Sequence, residues 1–323
     1  MERKNSVDLL RVISAIAIII IHIVSAPLTN RNGEIEGYLI NNLNTVHNLM
    51  NWAVPVFFMI TGYCLLQKTQ VTYKYCFTHV LKYICVLFTV GLSYVIMEEI
   101  FSAGTIKISF LEPFRDVISG NLWDHMWFVY DIIGVYLVMP IIYHFLQRGN
   151  KDILILTTIL FLFNILFPII EEFVSIKFDI PMDGYLFYVC FGGAVAKCKI
   201  DKKVNIGACF LLLISVIYII FCADGKQLGY KNLVVCIMAI SIFVIAVAME
   251  IKSNKMLLCF SKCTWGIYLI HPFFINIVIK LMKIDLLRSY AYVKLMLFAV
   301  IVTVISFGST YILRKIPIVK KLF

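Results

Sequence analysis

The stretch "DLLRVISAIAIIIIHIVSA", residues 8–26, has the length and apolar character of a membrane-spanning helix, yet it carries three ionisable groups. These groups are Asp8, Arg11 and His22. An aspartate or arginine near the centre of a bilayer costs about 2.5–3.5 kcal/mol on insertion scales. Ionisable residues in membrane spans therefore face the interior of a helical bundle or a polar cavity, and they mark candidate functional sites.

The rest of the chain has the composition of a membrane protein. Of its 323 residues, 61% are hydrophobic and only 15% are charged, and the mean hydropathy is +0.91. Apolar runs recur along the whole sequence, and each is about as long as the ~20 residues that a helix needs to cross the hydrocarbon core. The runs are continuous rather than alternating, which excludes a β-barrel. The composition predicts an all-α, polytopic membrane helical bundle.

About ten transmembrane helices can be drawn from the apolar runs. We expect residues 1–323 to form a single integral-membrane domain without a separate soluble domain, and the first run to be a permanent span rather than a cleaved signal peptide. The predicted spans are 7–27, 47–66, 80–101, 125–146, 153–170, 182–197, 204–222, 232–250, 258–281 and 291–313.

Lysine and arginine are distributed unequally between the two sets of loops. The N-terminus and every second loop hold 16 of the 29 basic residues, and the opposite set holds 8. Cytoplasmic loops carry the excess of basic residues, so we expect a multi-pass protein of the cell membrane with both termini in the cytoplasm. No nucleic-acid partner is then required to explain the net charge of +10. Attraction to anionic membrane lipid accounts for part of it, and the basic inner face could also hold an anionic substrate.

Arg11 and His22 lie eleven residues apart in the first span. This spacing places them within about 20° of each other around a helix and about 16 Å apart along its axis. Asp8, three residues before Arg11, can pair with it. Arg11 alone can be explained by snorkelling to the interface, and His22 alone by a hydrogen bond to a neighbouring helix. Together they predict a polar stripe that crosses most of the bilayer and faces the bundle interior.

Several other polar or aromatic groups at membrane depth are candidates for the same stripe. They lie in the second, fourth and ninth spans, and the histidines among them do not have the spacing of a metal motif. The ten cysteines are read as packing residues, because they are scattered through apolar runs. The candidates are Tyr63, His125, Trp127, Asp131, Tyr268 and His271.

Four short motifs in these spans occur together in a recognisable order. They are "RVISAIAIIIIH" at 11–22, "VPVFFMITGYCLL" at 54–66, "HMWFVYDIIGVYLVMP" at 125–140 and "GIYLIHP" at 266–272. With these motifs on a ten-span frame, the chain resembles the acyltransferase 3 family of integral membrane proteins. The resemblance extends from Asp8 to the last span. Thr61 replaces the serine that the family usually has in the second motif, and a hydroxyl is retained.

The resemblance implies an enzyme that transfers an acyl group, with acetyl the expected one, from cytoplasmic acyl-CoA to a hydroxyl of a cell-surface glycan or glycolipid. It implies that Arg11 and His22 are the residues tied to activity. We also expect no permanently bound cofactor or metal, since the histidines do not have the spacing of a metal motif. In place of an arginine-rich segment after the second span, this chain offers Lys74, His79 and Lys82. We expect Arg11, Lys74 and Lys82 to bind the donor. The matched motifs add supporting residues, which are Asp8, Thr61, Tyr63, His125, Trp127, Asp131, Tyr268 and His271.

Two other classes of protein remain open at this point. A polar stripe through a helical bundle is also typical of a membrane transporter of a small solute such as an amino acid. A structural membrane protein is the third possibility, although it would not need Arg11 and His22 on one helix face. The sequence does not indicate the acyl group, the acceptor or the oligomeric state.

The charge bias predicts the topology of the chain. Reporter fusions after residues 40, 115 and 225 should report the outer side of the membrane, and fusions after residues 72, 200 and 254 the cytoplasmic side, because basic loops are retained inside. A consistent inversion of these signals would contradict the predicted orientation, together with the sides assigned to donor and acceptor.

Overall fold

The structure is a computed structural model that describes residues 4–29, 37–103, 112–120, 122–147, 149–174, 185–252, 254–282, 286–287 and 290–323. All regular secondary structure in these ranges is helical. The helices are numbered in chain order: α1 (Asn5–Thr29), α2 (Gly37–Met50), α3 (Ala53–Leu66), α4 (Tyr73–Val86), α5 (Leu92–Ala103), α6 (Glu112–Ser119), α7 (Trp127–Leu146), α8 (Asn150–Phe161), α9 (Phe167–Val174), α10 (Leu186–Lys197), α11 (Lys202–Phe221), α12 (Leu233–Ala248), α13 (Lys255–Asn276) and α14 (Ala291–Leu313).

Several of these helices continue through wider turns into longer membrane-crossing units. Single π-helical turns join α4 to α5 at Leu87–Gly91 and α8 to α9 at Leu162–Leu166, and a third extends α13 through Ile277–Leu281. Short 3₁₀ turns precede α7 at Asp124–Met126 and follow α14 at Val319–Lys321.

Eight helical units in the described residues are long and apolar enough to cross a membrane. Two shorter apolar helices, Leu186–Lys197 and Leu233–Ala248, coincide with the other two spans drawn from the sequence. The prediction of a polytopic helical membrane protein is therefore confirmed. The eight long units are Asn5–Ala26, Gly37–Leu66, Tyr73–Ile100, Trp127–Leu146, Lys151–Glu171, Lys202–Phe221, Lys255–Leu281 and Ala291–Leu313.

The second helical unit begins ten residues earlier than the span predicted at 47–66. Its first part, α2, contains Asn41, Asn42, Asn44 and Asn48, whose amides lower the hydropathy and conceal the helix from a search for apolar runs. The amides of Asn42, Asn44 and Asn48 donate hydrogen bonds to other parts of the fold, which offsets the polarity of α2.

Side-chain caps define where several helices begin. Thr72 accepts a hydrogen bond from the backbone N–H of Tyr75 at the start of α4. Asp201, Asn232 and Asn254 cap α11, α12 and α13 in the same way. Each cap satisfies one of the backbone N–H groups that the first turn of a helix leaves without a partner.

Helices α3 and α10 approach each other closely because glycines lie at their contact. A Cβ atom on Gly62 would lie 1.8 Å from the carbonyl oxygen of Val189, and one on Gly192 would lie 1.9 Å from that of Met59. Small residues allow helix backbones to touch in this way, and van der Waals packing then holds the pair together within a membrane.

Helix α1 lies at the centre of the bundle. It packs against α2, α3, α12, α13 and α14. Its side chains at Ala17, Ile19 and Ile23 are almost completely buried, so α1 is enclosed by protein rather than lipid along these faces. This position explains how α1 can carry ionisable groups at membrane depth.

Candidate functional site

A partly buried ion pair occupies the N-terminal end of α1. Arg11 Nη1 lies 3.0 Å from Asp8 Oδ1, which confirms the pairing predicted from their spacing. The same carboxylate oxygen accepts a hydrogen bond of 2.6 Å from Ser261 Oγ of α13. Arg11 Nη2 lies 3.0 Å from Cys64 Sγ of α3. The ion pair therefore connects three helices, and Asp8, with a side chain 2% exposed, is the more buried of the two partners.

Three histidines meet about three turns farther along α1. The ring centre of His22 lies 5.1 Å from that of His271 on α13 and 6.2 Å from that of His125, which precedes α7. His125 and His271 are 6.0 Å apart. Both are buried, and in the part of the chain that the structure describes their Nε2 atoms have no hydrogen-bond partner.

A cavity of about 350 Å³ extends from the ion pair toward the histidines. Helices α1, α3, α4, α7 and α13 all contribute to its wall. Arg11, Lys68, Thr61 and Thr264 are among its polar members, and aromatic rings supply much of the remainder. The aromatic lining residues are Phe57, Tyr75, Tyr83, Phe128, Tyr136, Trp265 and Tyr268.

Lys68 brings a second positive charge to this cavity. It follows α3, donates a hydrogen bond of 2.7 Å to the hydroxyl of Tyr75 and lies 3.9 Å above the centre of that ring. The hydroxyl of Tyr143 donates to the backbone carbonyls of Lys68 and Thr69, which holds the segment after α3 in place. Arg11 and Lys68 give the cavity a cationic end, although Asp8 balances part of this charge.

A second, much smaller cavity of about 10 Å³ lies beyond the first and has His22 and His125 in its wall. Four residues line both cavities: Ile18, Val54, Phe128 and Tyr268. We call this set the constriction. Ile18 lies between Arg11 and His22 on the shared face of α1, so the prediction that both residues face the bundle interior from one side of the helix is confirmed.

Trp127 and Tyr230 also line the small cavity, together with Ile21. The ring of Trp127 lies 5.1 Å from that of Tyr185 and 5.5 Å from that of Tyr230. Lys231 Nζ lies 5.4 Å from the centre of the Tyr185 ring. An aromatic cluster therefore adjoins His22 on the side away from Arg11.

The asparagines of α2 hold the loop that presents Tyr230. Asn48 Nδ2 donates to the carbonyl of Lys226, and its Oδ1 accepts from the N–H of Leu228, at 2.7 and 2.9 Å. Asn44 donates to the carbonyl of Gly225 at 2.8 Å, and Asn51, which follows α2, donates to that of Leu228. An amide side chain offers both a donor and an acceptor, so it can pair with the C=O and N–H groups of a backbone segment. These contacts anchor the loop to α2.

The remaining residues predicted from the motifs lie in different places. Thr61 lines the large cavity, and its hydroxyl donates to the carbonyl of Phe57 at 2.9 Å. Tyr268 belongs to the constriction, and its hydroxyl donates to the backbone carbonyl of His125. Tyr63 lies outside the lining of both cavities and packs edge-on against Phe243 of α12. Asp131 is half-buried on α7, and the lining of the two cavities does not include it.

The lysines predicted to bind the donor are not in the lining of the large cavity. Lys74 is exposed and Lys82 is partly buried on α4, whereas Lys68, which was not singled out in the sequence, contributes to that lining. Helical spacing could have identified several other lining residues. Phe128, Ile132 and Tyr136 recur every four residues on α7, and Tyr75 and Tyr83 do so at twice that spacing on α4.

The histidine cluster does not have the geometry of a metal site. Within the described ranges, no group of three or more histidine, cysteine, aspartate or glutamate side chains is arranged to hold a metal ion. What the cluster offers is acid–base chemistry, because a neutral imidazole can accept a proton at one nitrogen and donate from the other.

These features define a class of protein: an integral membrane helical bundle with an internal site that runs from a positively charged end to a group of proton acceptors. The chain belongs to the acyltransferase 3 family, since the model of that family's acyltransferase domain matches residues 4–315, nearly the whole sequence. It is therefore a membrane acyltransferase. Neither a curated protein nor a solved structure matches the chain.

Proposed function

We propose that this protein transfers an acetyl group from cytoplasmic acetyl-CoA to a hydroxyl group of a glycan or glycolipid on the outer side of the membrane. One observation carries the proposal: His22 lines the small cavity, which adjoins, across the constriction, the large cavity that Arg11 lines. A donor entering from the positively charged end could present its thioester to His22. The acceptor would approach His22 from the side of Trp127 and Tyr230.

The charge of the large cavity suits the donor. Coenzyme A carries anionic phosphates at one end and a narrow, neutral pantetheine arm at the other. Arg11 and Lys68 can donate hydrogen bonds to the anionic or amide oxygens of such a molecule. The distance of about 16 Å along α1 between Arg11 and His22 is of the order of the length of an extended pantetheine arm.

The chemistry assigned to His22 is general base catalysis. As the acceptor oxygen attacks the thioester carbon, a C–O bond forms, the C–S bond breaks and His22 takes the proton of the hydroxyl group. The coenzyme A thiolate then recovers that proton from the imidazolium and leaves as the thiol. The reaction is balanced without a metal or redox partner, and it returns His22 to its neutral form.

The size of the small cavity favours a short acyl group. A volume of about 10 Å³ beyond the constriction is comparable to the space that one water molecule requires. The methyl group of acetyl could enter such a space with small side-chain movements, whereas a longer chain would have to displace Ile18 or Val54.

The aromatic cluster beside His22 supports a sugar as the acceptor. The faces of aromatic rings carry partial negative charge, and the C–H groups of a pyranose carry partial positive charge, so the two surfaces are complementary. Trp127 and Tyr230 present ring surfaces next to the small cavity. The excess of basic residues in one set of loops supports the placement of the Arg11 end on the cytoplasmic side.

We expect Arg11 to support the donor. Arg11→Ala should weaken the binding of acetyl-CoA to the purified protein by about 10- to 100-fold, since it removes charge-assisted hydrogen bonds, and Arg11→Lys should restore only part of this loss, since lysine lacks the paired donors of a guanidinium. Lys262→Ala is the matched control, because Lys262 is the exposed neighbour of Ser261, the residue bonded to Asp8. Unchanged affinity in Arg11→Ala would contradict the donor role.

We expect His22 to be the catalytic base. His22→Ala should lower the rate of acetyl transfer in proteoliposomes by about 10²–10⁴-fold, the usual contribution of a general base, while the protein still inserts and binds acetyl-CoA. His22→Gln should be almost as inactive, because an amide cannot accept the proton at neutral pH.

The same proteoliposomes distinguish an enzyme from a transporter when uptake of labelled serine is measured beside acetyl transfer. Near wild-type transfer by His22→Ala would mean that another group is the base. Solute uptake by the wild-type protein without any acetyl transfer would contradict the proposed function.

We expect Val54 to limit the length of the acyl group. Val54→Ala removes two methyl groups from the constriction and should raise kcat/KM for butyryl-CoA relative to acetyl-CoA by about 10-fold or more, since one methylene in a tight apolar pocket is worth about 10- to 200-fold. Val56→Ala is the matched control: Val56 is buried on the same helix, but it lies outside the lining of both cavities. An identical preference in the two variants would contradict the role of the constriction.

A further inference from the structure

The contacts of His271 differ from those of the other two histidines in the cluster. Its Nδ1 lies 3.1 Å from the backbone carbonyl oxygen of Ile267, one turn earlier on α13. A carbonyl oxygen can only accept a hydrogen bond, so in neutral His271 the proton belongs on Nδ1. The Nε2 atom of His271 then carries a lone pair.

Among the described residues, no hydrogen-bond donor reaches this lone pair. His271 is fully buried, and Nε2 has no hydrogen-bond partner among the described residues. A buried acceptor without a partner is costly, commonly by about 1–3 kcal/mol, and it calls for an explanation such as a catalytic role. The ring nearest to His271 in the cluster is that of His22.

The separation of the two rings allows a hydrogen bond between them. Two imidazoles joined by an N–H···N bond have centres about 5 Å apart, since the bond itself is about 3 Å long and each nitrogen lies on the rim of its ring. The observed centre-to-centre distance is 5.1 Å, and the rings are tilted by 47°. This separation is compatible with an N–H···N hydrogen bond from a His22 nitrogen to His271 Nε2 once the rings are suitably oriented. The ring centre of His125 is farther from that of His22, at 6.2 Å.

We propose that His271 is a positioning residue, which accepts a hydrogen bond from one ring N–H of His22 and thereby leaves the lone pair of the other His22 nitrogen free for the acceptor hydroxyl. The role rests on the proposed function of His22 as the base. The chain of contacts runs from the Ile267 carbonyl through His271 to His22, and it fixes the tautomer and the orientation of the base, as a carboxylate does in hydrolase triads.

A neutral partner suits this position in the membrane interior. A carboxylate beside His22 would place another charge in apolar surroundings, where burying a charge is expensive unless it is fully paired. An imidazole whose own N–H is bound by a backbone carbonyl accepts a hydrogen bond without adding charge. The arrangement therefore orients the base at little desolvation cost.

A matched pair of substitutions tests this role. In His271→Gln the side-chain amide reaches about as far as Nε2, whereas in His271→Asn it reaches only about as far as Nδ1. Both replacements are polar and neutral, so their burial costs are similar. We expect His271→Gln to keep kcat within about 10-fold of the wild type and His271→Asn to lose about 10²-fold or more, because misorienting a general base forfeits much of its contribution. The KM for acetyl-CoA should be unchanged in both variants.

The same pair at His125 is the control, and we expect no advantage of Gln over Asn at that position. Equal activities of His271→Gln and His271→Asn, whether both high or both low, would contradict the positioning role. A rise in KM that accounts for the whole effect would contradict it too.

A second measurement reads the tautomer of His271 directly. Nitrogen-15 NMR of the wild-type protein in liposomes, with labelled histidine and with His271→Gln to identify the resonances that disappear, should show His271 protonated on Nδ1. The Nε2-protonated form would overturn the proposal. This result concerns His271 alone, whereas an absence of acetyl transfer by the wild-type protein would count against the proposed function instead.

Discussion

The arrangement of the site depends on a buried charge that must be neutralised within the membrane. Asp8 is paired with Arg11 and bonded to Ser261, so α1 is tied to α13 at this point. A lone carboxylate in hydrocarbon would be unstable, and these contacts require α1 to lie inside the bundle. Since α1 and α13 then run side by side, His22 and His271 meet farther along the same pair of helices. The ion pair and the histidine cluster are two consequences of one helix contact.

The constriction divides the interior into a large cavity with a positively charged end and a small one beside the histidines. Under the proposed function this division matters because a thioester is open to hydrolysis. The apolar side chains of Ile18, Val54 and Phe128 lie between the two cavities and limit the water that can reach His22 from the large one. Exclusion of water from a reacting centre also strengthens the electrostatic interactions that remain there.

Much of the fold could be predicted from the sequence, because the membrane imposes a simple rule: a span needs about 20 apolar residues with all backbone groups bonded internally. The rule failed at α2, where the asparagines that bind the loop at 225–228 reduce the hydropathy. It also gave no information on which face of α7 lines the large cavity. Trp127 lines only the small cavity, whereas Phe128, Ile132 and Tyr136 line the large one.

The sequence by itself determined the class of protein, the ion pair of Asp8 with Arg11 and the shared face of Arg11 and His22, since these follow from composition and from the geometry of one helix. Only the tertiary structure brought His125 and His271 to His22, selected Lys68 for the cavity wall and turned Tyr63 away from it. These contacts join helices far apart in the chain. Helical periodicity states which residues share a face, but the packing of other helices decides what that face meets.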